Sequence, residues 1–211
     1  VTGGDPQQQP QRGSGAAGAE RERVVAAFER AAAERGYRRL SMEDVVHCAG
    51  ASRAEIEAHF ASLDQGLAAA QEAFLARLRR DAVAACEEQE EWPQRVRTAL
   101  GAVLDSLVEG SAVARAFAVE ATAANLAAAN RQLATLERFA AMLAEGRRHH
   151  PAATELPALT ERLLVGGVAS IAFSRLLAEE AIALPDLEPE LAELLLMPYL
   201  GGVAARRVAR A

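Results

Sequence analysis

From residue 20 onward the chain sets apolar and polar positions at a helical period with few interruptions. In "ERERVVAAFERAAAERGY" the apolar residues Val24, Val25, Phe28, Ala31 and Ala32 fall on one face of a helix, and Gly36 is placed to end it. Three start signals follow in close succession, "SMED" at 41–44, "SRAE" at 52–55 and "SLDQ" at 62–65. Each sets a Ser three residues ahead of an acidic residue or Gln, so the side chains can cap the free N–H groups of a helix start. The pattern predicts a short helix over 42–49 with Val45, Val46 and Cys48 toward the core, and a tight turn at Gly50. A second short helix over 53–59 should bury Ile56 and Phe60, and a long helix should open at Ser62. Two short helices joined by a Gly turn, the second capped by Ser, form a helix-turn-helix pattern.

Beyond that unit, Pro93 suits the first position of a helix running to Gly110, and fresh apolar patterns cover 112–124 and 125–145. "GRRHHPAATELP" reads as a loop, with Arg147, Arg148, His149 and His150 solvent-exposed. Two long helices are expected at about 158–181 and 188–208. Pro198 falls inside the second and predicts a kink. No strand-like alternation and no fixed repeat is present, so the fold class is all-α. Residues 1–19, rich in Gly, Gln and Pro, read as a flexible tail.

Composition narrows the function. The 211 residues are 51% hydrophobic and 4% aromatic, enough apolar material for a core and suited to packed helices. The net charge of -6 gives no general attraction to nucleic acid, so any DNA contact must come from a local patch. Every basic residue is Arg. Between 20 and 80 ten Arg face ten acids, which makes that segment neutral and predicts a shallow salt dependence of DNA binding. Cys48 and Cys86 sit in helical patterns as reduced, structural thiols. No apolar run reaches the length of a membrane span, which predicts a soluble cytoplasmic protein with no membrane partner. No Gly-rich phosphate loop, metal signature or nucleophile with a placed base is found, so neither enzymatic activity nor a cofactor nor a metal is expected.

The stretch "VVAAFERAAAERGYRRLSMEDVVHCAGASRAEIEAHFASLDQGLAAA" resembles the TetR family of bacterial transcriptional regulators, through "ERGY", the Ser before the second helix, "AGAS", and "HF" followed by a Ser-capped helix. "LLVGGVASIAFSRLL" and "LLLMPYLGGVA" are similar to the last two helices of many such regulators. The resemblance implies an N-terminal three-helix helix-turn-helix DNA-binding domain over 20–66. Joined to it, over 67–211, would be a C-terminal helical domain for dimerisation and ligand binding. It implies three partners: a double-stranded DNA operator, a small-molecule effector and a second copy of the chain. By match to the family's contacting positions, Arg53 is the leading residue for guanine readout, with Ser52, Ala54, Glu57 and Ala58 beside it and His59 near a phosphate. Arg38 and Arg39 add positive charge before the second helix, and Arg12, Arg21 and Arg23 lie in or near the tail, where an arm can follow the minor groove.

The sequence departs from the family pattern at three positions: Glu55 where Thr is usual, Glu57 where Tyr is usual, and Leu63 where Lys is usual. Glu55 has a capping role open to it as the fourth residue of "SRAE". Glu57 either accepts from a cytosine amino group or repels the backbone. In the second half, Trp92, Phe117, Glu120, Phe139, Met142 and Phe173 are candidates for a ligand pocket, and Glu120 on an apolar face needs a partner. Gly166, Gly167, Ser170 and Ser174, with Leu191 and Leu195, are candidates for a dimer interface, where small residues permit close helix approach. Two functions follow: a ligand-responsive regulator, specifically a repressor released from a pseudo-palindromic operator by a small molecule, or a helical dimeric sensor or interaction protein of the same fold that has lost specific DNA binding.

Overall fold

The computed structural model describes residues 11–87 and 89–211. Among these the chain forms helices, short 3-10 turns and connecting bends, with no strand. α1 (Gln11–Arg35) buries Val24, Val25, Phe28, Ala31 and Ala32, the predicted face, together with Ala27. It begins at Gln11, well ahead of the expected start at Glu20. Residues 11–19 of the expected tail are therefore helical, and residues 1–10 lie outside the described residues. Residues 17–23 are exposed all round, so no apolar period marked that turn of the helix.

After a 3-10 turn (Tyr37–Arg39) come α2 (Met42–Ala49), α3 (Arg53–His59) and the long α4 (Leu63–Cys86). All three Ser caps form: Ser41, Ser52 and Ser62 accept from the backbone N–H of Asp44, Glu55 and Gln65. Gly50 ends α2 in the left-handed conformation, with φ of 61°. Val45, Ile56 and Phe60 belong to one buried cluster with Phe28, whose ring lies edge-on to that of Phe60 at 5.6 Å. Val46 and Cys48 are only partly buried, and Met42 takes the buried place beside Val45. Gly66 is required where α4 passes α1, because a Cβ there would stand 1.9 Å from Phe28 Cζ.

α5 (Trp92–Glu109) packs on α4. It is followed by α6 (Ser111–Ala114), a π-helical turn (Arg115–Glu120) and α7 (Ala121–Ala124). Asn125 then caps α8 (Leu126–Ala144), its Oδ1 accepting from the N–H groups of Ala127 and Ala128. The expected loop after α8 is instead structured, as α9 (Gly146–His149) and a 3-10 turn (Pro151–Glu155). Arg148 and His149 are exposed, but Arg147 is half-buried and its guanidinium holds Glu161 at 2.7 and 2.9 Å. His150 is also half-buried and lies against the Trp92 ring at 5.5 Å.

The remaining helices are α10 (Thr160–Leu177), α11 (Glu188–Leu200) and α12 (Gly202–Ala209), with 3-10 turns at Ala181–Ala183 and Pro185–Leu187. The expected single helix over 188–208 is thus two. Pro198 removes an N–H from the ladder near the end of α11, and Gly201, at φ 74°, turns the chain so that α12 folds back. Arg206 on α12 then donates to Glu193 on α11 at 2.9 Å.

Candidate DNA-reading head and ligand cavity

α3 stands on Ile56 and Phe60, both buried, and leaves Ser52, Arg53, Ala54, Glu57 and Ala58 exposed, with His59 half-buried. Glu55 is absorbed by the cap: its Oε2 accepts from the Ser52 N–H and hydroxyl, each at 2.7 Å. Glu57 is turned onto Arg53, whose Nε donates to Glu57 Oε1 at 2.7 Å while its NH1 donates to Glu43 Oε1 on α2 at 3.0 Å. Arg53, expected to read guanine, is thus held between two carboxylates. Arg38 and Arg39 are exposed on the 3-10 turn, and with Glu34, Arg35, Gly36, Arg115 and Glu120 they line a polar hollow between head and body. Arg21 lies over the Phe60 ring at 4.9 Å, Arg23 is exposed, and the side chain of Arg12 lies outside the described residues.

In the body, α4, α5, α8 and α10 enclose a cavity of about 160 Å³. Trp92, Phe139, Met142 and Phe173 line it, as expected. Phe117 does not line it: it is fully buried and packs between Tyr37, at 6.4 Å, and Phe74, at 6.3 Å. The walls are hydrocarbon with few exceptions. The two charged side chains among them, Arg95 and Glu145, compensate each other at 4.0 Å. Thr135 uses its hydroxyl on protein partners, accepting from Arg79 at 3.1 Å and donating to the Arg131 carbonyl at 3.3 Å. Cys86 donates to the Ala82 carbonyl, and burial pushes its thiol pKa up, which keeps it protonated and unreactive. Gln132, missed from the sequence, also lines the cavity, and neither its Oε1 nor Trp92 Nε1 has a hydrogen-bond partner. Its one visible signal was a polar residue on the apolar face that carries Leu136 and Phe139. Among the described residues no group of three or more His, Cys, Asp or Glu is placed to hold a metal.

The π-helical turn connects the two regions. Ala118 forms part of the cavity wall, while Glu120, two residues on, points away from it. Glu120 Oε2 accepts from the Tyr37 backbone N–H at 2.8 Å, where α1 gives way to the head's 3-10 turn, and Arg115 lies 3.9 Å from the same carboxylate. This is the partner that Glu120 required, so the carboxylate grips the head rather than the cavity. Gln71 on α4, fully buried, fixes the turn from the other side by donating to the carbonyls of Phe117 and Ala128, each at 3.2 Å. Arg131 in turn donates to Gln71 Oε1 at 2.7 Å. Neither Gln71 nor Arg131 stood out in the sequence, because their partners are distant along the chain.

On α10, Gly167, Ser170 and Ser174 are exposed and Gly166 is half-buried, and a Cβ built on either Gly would meet nothing within 4 Å. Leu163, Ile171 and Leu177 of the same helix are exposed too. Leu191 and Leu195 are placed otherwise than expected: both are buried in this chain's own core, and Leu195 lines the cavity. The exposed apolar positions of α11 are Leu194 and Met197, on a different face of the helix from Leu191 and Leu195.

No family model matches the chain, and no curated protein matches it by sequence. Solved structures do match by shape. The fatty acid degradation regulator FadR from Bacillus halodurans superposes with a TM-score of 0.71 at 16% identity, over 84% of this chain and 94% of its own. FadR from Bacillus subtilis, in complex with stearoyl-CoA, gives a TM-score of 0.70 at 16% identity, over 85% of this chain and 98% of its own. A protein from Shewanella sp. PV-4 assigned to the tetR family of transcription regulators gives a TM-score of 0.61 at 13% identity, over 80% and 95%. With a capped helix-turn-helix head, a long connecting helix and a helical body around a cavity, the chain has the fold of the TetR-family transcriptional regulators.

Proposed function

We propose that this protein is a ligand-responsive transcriptional regulator: a homodimer that binds a pseudo-palindromic operator as a repressor and is released by an apolar small molecule. One observation carries the reading. The π-helical turn contributes Ala118 to the cavity wall and Glu120 to the backbone of the head, so a ligand that moves the wall also moves the anchor of the helix-turn-helix. π-turns concentrate at functional sites because the extra residue per turn is retained only where something holds it. Ligand binding then acts by favouring one separation of the two heads over another. The stearoyl-CoA held by one structural neighbour supports an effector with a hydrocarbon part, as do the hydrocarbon walls of this cavity.

In this reading α3 enters the major groove, Arg53 reads guanine, and Ser52, Ala54, Glu57, Ala58 and His59 line the contact, with Arg38 and Arg39 on phosphates. Arg53 must exchange Glu43 for the base, while Glu57 can keep its Nε and so hold the guanidinium plane. The exposed faces of α10 and α11 meet those of a second copy. A second reading, a dimeric sensor that no longer reads DNA, draws support from the same carboxylates, which occupy Arg53 in the free protein.

Selection of duplexes from a randomised DNA library, at low and moderate salt, separates the two. An enriched palindrome that is lost in Arg53→Ala supports the regulator. A folded dimer that enriches no motif at either salt overturns it in favour of the sensor.

A further inference from the structure

Two residues of the cavity lining, Gln132 and Trp92, each carry a buried polar atom that the protein leaves unpaired. Gln132 is only 7% exposed and lines the cavity, yet its Oε1 has no hydrogen-bond partner. Buried amide groups are nearly always paired, because leaving one unpaired costs its full desolvation. Trp92 Nε1, a second unpaired group of the same cavity, is a donor. The other polar lining is spent: Thr135 on Arg79 and Arg131, and Arg95 opposite Glu145. The cavity therefore offers hydrocarbon contact and an amide, and no uncompensated charge. An ion placed among these walls would lose its hydration without gaining a counter-ion.

We infer that the part of the ligand held in this cavity is an uncharged amphiphile, hydrocarbon over most of its length, whose one polar group, a hydroxyl or an amide, hydrogen-bonds to the side-chain amide of Gln132. A hydroxyl or primary amide both donates and accepts, so it satisfies Gln132 whichever way the amide is turned. The inference rests on the proposal that the cavity is the ligand site, and it specifies the chemistry of that site.

The chain supplies its own reporter, since Trp92 is its one tryptophan and lines the cavity. Titration of the full chain with 1-octanol, octane and octanoate, followed by Trp92 emission, tests the inference in wild type, Gln132→Leu and Gln132→Met. The expected result is that 1-octanol binds at least tenfold tighter than octanoate. Both variants should weaken 1-octanol about tenfold while octane binds as well as before or better, the loss corresponding to one hydrogen bond to a buried group. Ligand-free Gln132→Leu should also melt no lower than wild type, because it removes an unpaired amide. If octanoate binds tightest and is weakened by Arg79→Gln, the head group lies at Arg79 and the inference fails while the cavity stands. Equal weakening of octane and octanol in both Gln132 variants overturns it too, as a packing effect. If none of the three ligands changes Trp92 emission or raises the melting temperature, the cavity is not a site for such ligands, and both the inference and the reading beneath it fall.

Discussion

Glu161 is the most constrained charge in the body. Arg147 reaches it with two nitrogens, at 2.7 and 2.9 Å, and Tyr199 donates its hydroxyl at 2.7 Å, so α9, α10 and α11 meet at one carboxylate. The Arg147 hydrogen bonds, against the opposing effect of burial, lower its pKa from the ordinary 4.5 to about 2. The same carboxylate, with burial the larger cause, pushes the Tyr199 phenol up. A carboxyl group that is more acidic folded than unfolded stabilises the fold fully above about pH 4.5, and that contribution is lost as pH falls toward 2. Glu161→Gln should therefore lower stability by roughly 2 kcal/mol at pH 7. In denaturant melts the gap between variant and wild type should shrink steeply as pH falls from 4.5 toward 2; a gap that keeps its neutral-pH size down to pH 2 would show that shape, not charge, is what Gln fails to supply. At this scale the sequence was legible only where partners are close along the chain. The caps at Ser41 and Ser52 span three residues and were readable, whereas Glu161 reaches partners 14 and 38 residues away. Arg147 and His150 read as loop residues for the same reason.

Among the elements, the π-helical turn is what a 3.6-residue period cannot reveal, because its extra residue shifts the apolar register while the stretch remains helical. Phe117, expected at the cavity as a large residue in an apolar run, lies within this turn and packs against Tyr37 and Phe74. The junction it makes has two tests. Gly36 adopts φ 78° and ψ 150°, a region almost reserved for Gly, and an added Cβ would stand 3.0 Å from Glu120 Oε2. Gly36→Ala should destabilise the protein by roughly 1–3 kcal/mol in thermal or denaturant melts. An unchanged midpoint would mean that the backbone at Gly36 leaves this region at no cost to the fold. Glu120→Gln keeps the size of the side chain but weakens its hold on the Tyr37 N–H and removes the charge that faces Arg115. If the turn couples cavity to head, this variant binds ligand as wild type does, while the ligand's effect on operator affinity, read by fluorescence anisotropy, shrinks severalfold. An undiminished effect would assign the coupling to α4, which also runs from head to cavity.

For the molecule as a whole, what matters is which apolar surface is left uncovered. Leu163 is 72% exposed, Leu177 61% and Leu194 45%, on neighbouring helices, and on α10 they are interspersed with Gly167, Ser170 and Ser174, which have almost no side chain. Scattered exposed leucines are ordinary on a protein surface, but leucines that share a helix face with small residues make a surface that another helix can approach closely. The sequence disclosed the small residues of α10 and not the phase of α11. Leu191 and Leu195 carry the same apolar signal as Leu194 and Met197, and only packing against the body decides which pair is buried. The distinction gives the prediction its controls. Leu163→Glu combined with Leu194→Glu should leave the helical content and thermal unfolding of the chain intact and convert a dimer to a monomer at micromolar concentration, measured by sedimentation velocity. Leu191→Glu should instead unfold the body, because its charge would be buried without a partner. Under the proposed function, residues 20–80, with no net charge, gain little from counterion release, so one head alone should hold DNA weakly and two should have to bind together. The double variant should therefore lose operator binding with Arg53 still in place. Retained dimerisation with Glu at both positions would exclude this face and direct attention to Val203, 80% exposed on α12.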